Sequence, residues 1–328
     1  MMQRKPPNTD KRPRRLYKYR AFSNLTLEML VEDRLFFADP SSFNDPLDSR
    51  PSLDTDLTAP ELERIYVGFV KQRVSAEMSA AAKSIKYRGP RTIEHIARQA
   101  QRLATERLAD IRYNSTNPDY EINDPLQFLL GQYVEEELLR RYDKGIVSFA
   151  ERSTCPLMWS HYGDQHKGLC IGYSIPLDVT AMVHKVEYDG GRLVHASSVA
   201  AMTEGDECAR REVDAAVLLR KAPNWRYERE WRLFGPRGLQ DSALELEEVV
   251  FGIRCSPAVK FAAVKALEGR QRGVDFFEMR ERHGTFQLKK FALDIDELSA
   301  FLPRRSRSIY EAFESVALPN SFDEEPTK

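Results

Sequence analysis

From Trp225 to Phe234 the chain reads Trp-Arg-Tyr-Glu-Arg-Glu-Trp-Arg-Leu-Phe, two carboxylates two positions apart with arginines on either side. Aromatic residues favour a strand, and side chains along a strand alternate between its faces. On that pattern Trp225, Tyr227, Trp231 and Leu233 share one side, and Arg226, Glu228, Glu230 and Arg232 share the other. Two readings of the charged row stay open. Facing water, it is an ordinary solvated surface. Facing a groove, the guanidinium groups would hold one working carboxylate, or an anionic ligand.

A second group of polar residues sits in Ser41-Ser42-Phe43-Asn44-Asp45-Pro46-Leu47-Asp48. Short polar side chains there bond nearby main-chain groups and hold a turn; such a turn can also line a pocket mouth. In Met158-Trp159-Ser160-His161-Tyr162, His161 and Tyr162 offer hydrogen-bonding groups while Trp159 packs. His161 serves equally well as a satisfied core histidine. His161, Asp164 and His166 are close in sequence, but HxxxxH without a third helical partner does not make a zinc set. No metal site is assigned. There is no G-x-S-x-G elbow, no Walker A loop and no G-x-G-x-x-G. Phosphate would have to be met by arginines and backbone amides.

These residues need elements to position them. Leu16-Tyr17-Lys18-Tyr19-Arg20 alternates as a strand, and Ser23 or Asn24 can cap a helix whose apolar side is Leu25, Leu27, Met29, Leu30 and Val31. Arg34-Leu35-Phe36-Phe37-Ala38 reads as a second strand. From about 60 to 142 a helical period takes over, in Leu62, Ile65, Tyr66, Phe69 and Val70 and again in Ile93, Ile96, Ala97, Ala100 and Leu103. Strands are expected at 145–150, 168–175 and 185–188, a helix over 197–221, and the charged strand at 226–234. A strand at 247–253, a helix over 257–267 and strands near 274–279 and 285–292 follow. Without regular βα alternation, this predicts an α+β fold. Its sheet is mixed and mainly antiparallel, with flanking helices and a helical insertion. One domain is expected over 16–300, after a disordered basic tail (1–15) and before a C-terminal helix and loose polar tail (301–328).

Across 328 residues, 49 Lys and Arg nearly balance 50 Asp and Glu, for a formal charge of −1. No global field draws such a chain to nucleic acid or membrane. Locally, Arg4, Lys5, Lys11, Arg12, Arg14, Arg15, Lys18 and Arg20 face only Asp10, an arm that is solvated or weakly attracts nucleic acid. No apolar run has the length of a membrane span, and no hydrophobic segment follows the basic start, so no secretory signal is expected. Cys155, Cys170, Cys208 and Cys255 are too scattered for a disulfide framework and suit a cytoplasmic protein.

Leu16-Tyr17-Lys18-Tyr19-Arg20, Phe43-Asn44-Asp45-Pro46, Met158-Trp159-Ser160-His161-Tyr162 with Lys167-Gly168-Leu169-Cys170-Ile171-Gly172, and Tyr227-Glu228-Arg229-Glu230-Trp231-Arg232 together resemble a large bacterial family of unknown function. The resemblance spans about 16–292. A more distant one points to chemistry. The opening strand, helix and Phe36-Phe37-Ala38-Asp39 strand with Ser41 and Ser42 after it resemble ADP-ribosyltransferases. The toxin-like branch of those enzymes uses a first-strand arginine, a serine on a middle strand and a late E-x-E. Here these would be Arg20, Ser148 or Ser153, and Glu228-Arg229-Glu230.

That resemblance implies NAD as substrate, cleaved at the nicotinamide–ribose bond. Glu230 would stabilise the developing charge and Glu228 orient the acceptor. Arg20 would grip the pyrophosphate, and Tyr162 or Phe37 stack on nicotinamide. Tyr19, Ser42, Asn44, Asp45, Trp159, His161 and Arg232 complete the expected ligand-binding set. The acceptor would be a protein or a nucleic acid, and the setting bacterial defence or conflict. The alternatives are a non-catalytic module for a nucleotide or anionic ligand, and a nucleic-acid-directed effector using the basic arm.

Overall fold

The computed structural model describes residues 13–304 apart from 88, 90, 91 and 143. The tail expected over 1–15 and the segment expected over 301–328 therefore lie almost wholly outside the described residues.

The chain opens as β1 (Arg15–Arg20), α1 (Asn24–Val31) and β2 (Arg34–Phe37). Ser23 caps α1, its hydroxyl accepting from the Thr26 amide at 3.2 Å, one of the amides a helix start leaves unpaired. A short β3 (Ser52–Asp54) leads to three helices, α2 (Ala59–Ser84), α3 (Thr92–Asn114) and α4 (Pro125–Arg141). Then come β4 (Gly145–Ala150), α5 (Pro156–Tyr162), β5 (Leu169–Ser174), β6 (Val183–Lys185) and β7 (Leu193–His195). The helix expected over 197–221 is two, α6 (Ala196–Thr203) and α7 (Glu207–Leu218). Gly205, at φ +100°, separates them, and the Asp206 carboxylate caps the second. The chain continues through β8 (Glu230–Gly235), β9 (Gly238–Asp241), β10 (Glu245–Phe251), α8 (Pro257–Ala266), β11 (Asp275–Glu281), β12 (Leu288–Ala292) and α9 (Ile295–Phe301).

The fold is α+β. Eight strands form one sheet in the order β12-β11-β10-β5-β1-β4-β8-β6, antiparallel except where β10 meets β11. One face is apolar: Leu16, Val147, Phe149, Ile171, Trp231, Leu233 and Val249 pack under Met29 and Leu30 of α1 and Ala263 of α8. The opposite face carries two separate apolar clusters. At one end Ile146 of β4 joins a large core built by α2, α3, α4, α6 and α7. At the other, Tyr19, Ala150, Cys170 and Val250 pack against Met158 and Trp159 of α5. Ser148 lies between Ile146 and Ala150 on β4, in the gap between those clusters. The gap is filled by charge. Among the described residues no helix is long and apolar enough to cross a membrane.

Candidate functional site

The charged row does not lie on one strand. Residues Pro223–Glu228 form a 3-10 turn, Arg229 is left-handed (φ 46°, ψ 55°), and β8 begins only at Glu230. The strand expected over 226–234 is corrected accordingly: its first part is a turn, opened by a proline whose fixed φ suits a first helical position. The kink at Arg229 still brings both acids together. Lys221 Nζ donates to Glu228 Oε2 at 2.5 Å and to Glu230 Oε2 at 2.9 Å, and Asp48 Oδ2 lies 3.3 Å from the same nitrogen.

Arg232 is the second node. Its Nε donates to Glu230 Oε1 at 2.8 Å, one terminal nitrogen to both Asp48 oxygens at 2.7 and 2.8 Å, and the other to Ser49 Oγ and the Leu218 carbonyl. Three acids and two bases thus share a volume that water barely reaches, with exposures from 0 % for Arg232 to 8 % for Lys221. Buried ions persist only when paired and hydrogen-bonded. Burial alone would raise the Glu230 carboxyl, but Arg232 and Lys221 overcome it and hold it well below the usual carboxylate range. For Glu228 burial wins over Lys221, with the Glu230 charge adding to it, and its carboxyl sits above that range. Burial works to lower Lys221, yet Glu230, Glu228 and Asp48 raise it above an ordinary lysine.

Both glutamates border a cavity of about 420 Å³. Tyr162 hydroxyl donates to Glu228 Oε1 at 2.7 Å and accepts from Asn44 Nδ2 at 3.3 Å. Trp225 donates its Nε1 hydrogen to Asp45 at 2.7 Å and lays its ring 5.3 Å from Lys221 Nζ, a favourable cation–π placement.

The cavity lies along a seam in the sheet. β1 pairs with β5 at six positions and β4 with β8 at six, but β1 and β4 meet only at Tyr17 and Ala150. Lys18 enters the seam, lines the cavity and donates from Nζ to the Ser148 carbonyl at 2.8 Å. Burial, followed by the Arg20 charge, outweighs the pull of Glu230 and Glu228 and brings its pKa down to about 7. A second cavity of about 370 Å³ shares the Phe43 and Asp48 wall and is lined further by Arg50, Tyr142 and Arg237.

Residues 158–233 match the family model DUF2971, described as a protein of unknown function. No curated protein and no solved structure matches the chain. The DUF2971 span begins in α5 and ends in β8. It therefore includes His161, Tyr162, Lys221, Glu228, Glu230 and Arg232, while Lys18, Asn44 and Asp48 reach the site from the part of the chain before it. Of the stretches that carried the family resemblance, those at 158–172 and 227–232 fall inside the matched span, and those at 16–20 and 43–46 fall outside it.

The cavity gathers Tyr19, Ser42, Asn44, His161, Tyr162, Glu228 and Glu230 from the expected set. Arg232 stands one contact behind, on Glu230 and Asp48, and Asp45 stands further back, on Trp225, whose ring lies over Lys221. Of the two candidate serines, Ser148 lines the cavity, whereas Ser153 offers its carbonyl to Trp159. Three expected residues are not brought in. Alternation along β1 sets Arg20 on the face of Leu16, opposite Tyr19, while Glu230 shares its face with Ala150. Phe37 is buried in the apolar core against Gly235. Trp159 is wholly buried, edge-on to Tyr19 at 5.1 Å. Among the described residues no group of three His, Cys, Asp or Glu side chains is placed to hold a metal ion; His166 stacks on Trp159 instead.

Lys221 and Lys18 were missed as site residues. Three acids gathered around one arginine, which itself bonds only Glu230 and Asp48 among them, leave a charge that a buried site cannot leave unbalanced. That imbalance becomes visible only once Asp48 is known to join Glu228 and Glu230.

Proposed function

We propose that the cavity takes NAD and cleaves its nicotinamide–ribose bond, passing the ADP-ribosyl group to water or to an acceptor hydroxyl. The observation that carries this reading is the Glu228–Glu230 pair bordering a tyrosine-lined cavity, held by Lys221 and Arg232. Departure of nicotinamide leaves oxocarbenium character on the ribose, as in glycoside cleavage. Carboxylates already fixed in place stabilise that charge without reorganising.

Hydrogen-bond accounting separates the two acids. Glu230 already accepts twice from Arg232 and once from Lys221, so it supplies charge and anchors the cations. Glu228 accepts once on each oxygen, from Tyr162 and Lys221, and keeps lone pairs for ribose hydroxyls. Tyr162 and His161 border the same space and offer rings to nicotinamide. At about 420 Å³ the cavity suits the nicotinamide riboside end of the dinucleotide, and ligand sites of this kind begin at roughly 300 Å³. Arg50 and Arg237 of the adjoining cavity take over the pyrophosphate role expected of Arg20.

The test is chromatographic measurement of nicotinamide released from NAD by the full chain. Release by the wild type, lost by about 100-fold or more in Glu228→Gln with the melting temperature kept, is the expected result; an undiminished Glu228→Gln rate refutes it. The complete internal pairing of the charges favours one second reading, a preorganised NAD-binding module. It would show as NAD-dependent thermal stabilisation with no nicotinamide released.

A further inference from the structure

Two lysines border this cavity and their surroundings differ in kind. Lys221 is held by three carboxylates within 3.3 Å. The Lys18 Nζ makes its hydrogen bond to the main-chain carbonyl of Ser148, a neutral acceptor. We infer that Lys18 is the acid–base group of the site, a neutral amine that takes the proton of the hydroxyl attacking the bound ligand. This rests on the cleavage reading above and gives it the base it lacks.

The groups facing Lys18 come from every element around it. Tyr17, Tyr19 and Arg20 share its strand; Ser148 lies across the seam; Glu228, Glu230 and Lys221 approach from the turn, β8 and the segment after α7; Asp48, His161 and Tyr162 complete the wall. Arg20 and Lys221 disfavour a further positive charge, the two glutamates favour one, and removal from water tips the balance toward the neutral amine. Lys221 is excluded as the base because its carboxylates keep it protonated. Tyr162 is excluded because its phenol donates to Glu228 and burial pushes its pKa up.

The proton balance fits a single base. The C1′–N bond breaks with its electron pair leaving on nicotinamide, which departs neutral and needs no proton. The oxygen of water or of an acceptor hydroxyl forms the new bond to C1′. Its proton passes to the Lys18 lone pair, and the resulting ammonium returns that proton to solvent.

The experiment follows the full chain labelled with ¹³C at lysine Cε, the Lys18 signal being identified by its loss in Lys18→Arg. A Lys18 midpoint near 7 against about 10.4 for ordinary lysines is expected, and a Lys18 midpoint near 10 overturns the assignment. Nicotinamide release should rise with pH through the same midpoint. Lys18→Met should lose about 100-fold and that limb of the profile; Lys18→Met keeping both rate and limb also overturns it. A wild type that releases no nicotinamide fails the NAD reading alone. The amine assignment is then decided by the midpoint, supported near 7 and refuted near 10.

Discussion

Consecutive residues of β8 live in different solvents. Trp231 and Leu233 point into a core shared with Val147, Phe149 and Val183, while Glu230 and Arg232 point into a lattice of ion pairs with Lys221 and Asp48. Both sides are almost fully buried, so burial alone does not distinguish them. The apolar side is held by area and dispersion, which fall off gradually when one group is trimmed. The charged side is held by mutual completion, and a missing member leaves its partners as uncompensated buried ions.

The sharpest way to break this comparison is Lys221→Met. It strands Asp48, Glu228 and Glu230 with Arg232 alone, at an expected cost of about 3–5 kcal/mol in denaturant unfolding at neutral pH. Leu233→Val on the other face should cost only about 1 kcal/mol. Equal costs would mean the ion pairs carry no more than ordinary packing. The pH dependence has a definite sign. Glu230 is depressed on folding, so its contribution is present above the unfolded carboxylate pKa and lost as pH falls below it. The gap between wild type and Lys221→Met should therefore narrow in acid.

Lys18→Met tests the same face in the opposite direction. Its folded pKa near 7 lies below the unfolded 10.5, so the unfolded chain binds the extra proton between those values and wild-type stability rises with pH across that window. Removing the amine should raise the unfolding free energy most below pH 7, by about 2 kcal/mol or more. The gain should fade toward pH 10. A gain independent of pH would assign the effect to packing instead.

The smallest effect is expected at Arg229. Its left-handed backbone is uncommon for a residue with a Cβ, and Arg229→Gly would relieve that strain while adding chain entropy to the unfolded state. The net change in denaturant midpoint should stay within about 1 kcal/mol. A larger loss would show that the exposed Arg229 guanidinium, 3.5 Å from Glu151, matters more than the turn.

Much of the framework is legible in the residues themselves. Alternation in 16–20 and the helical period after 60 mark β1 and the three inserted helices, because burial imposes those periods directly. The left-handed turn at 229 is not legible, since nothing in Tyr-Glu-Arg-Glu names it. Two of the expected acids still meet, through a kink instead of a shared strand face. Arg20 was misplaced because alternation says which residues share a side and not which side carries the cavity. Lys18 has the same parity as Arg20 and escapes it only because the seam lets its long stem through. Lys221 had no local mark, for Asp48, one of its three acids, is distant in the chain.

A sheet joined across its middle by one rung, with six-rung ladders on either side, has little backbone cohesion to set its width there. The distance between its halves is then governed by whatever side chains span the opening. Trading those side chains can resize the aperture for a different guest while both ladders stay in register, a freedom that a fully stitched sheet would not have.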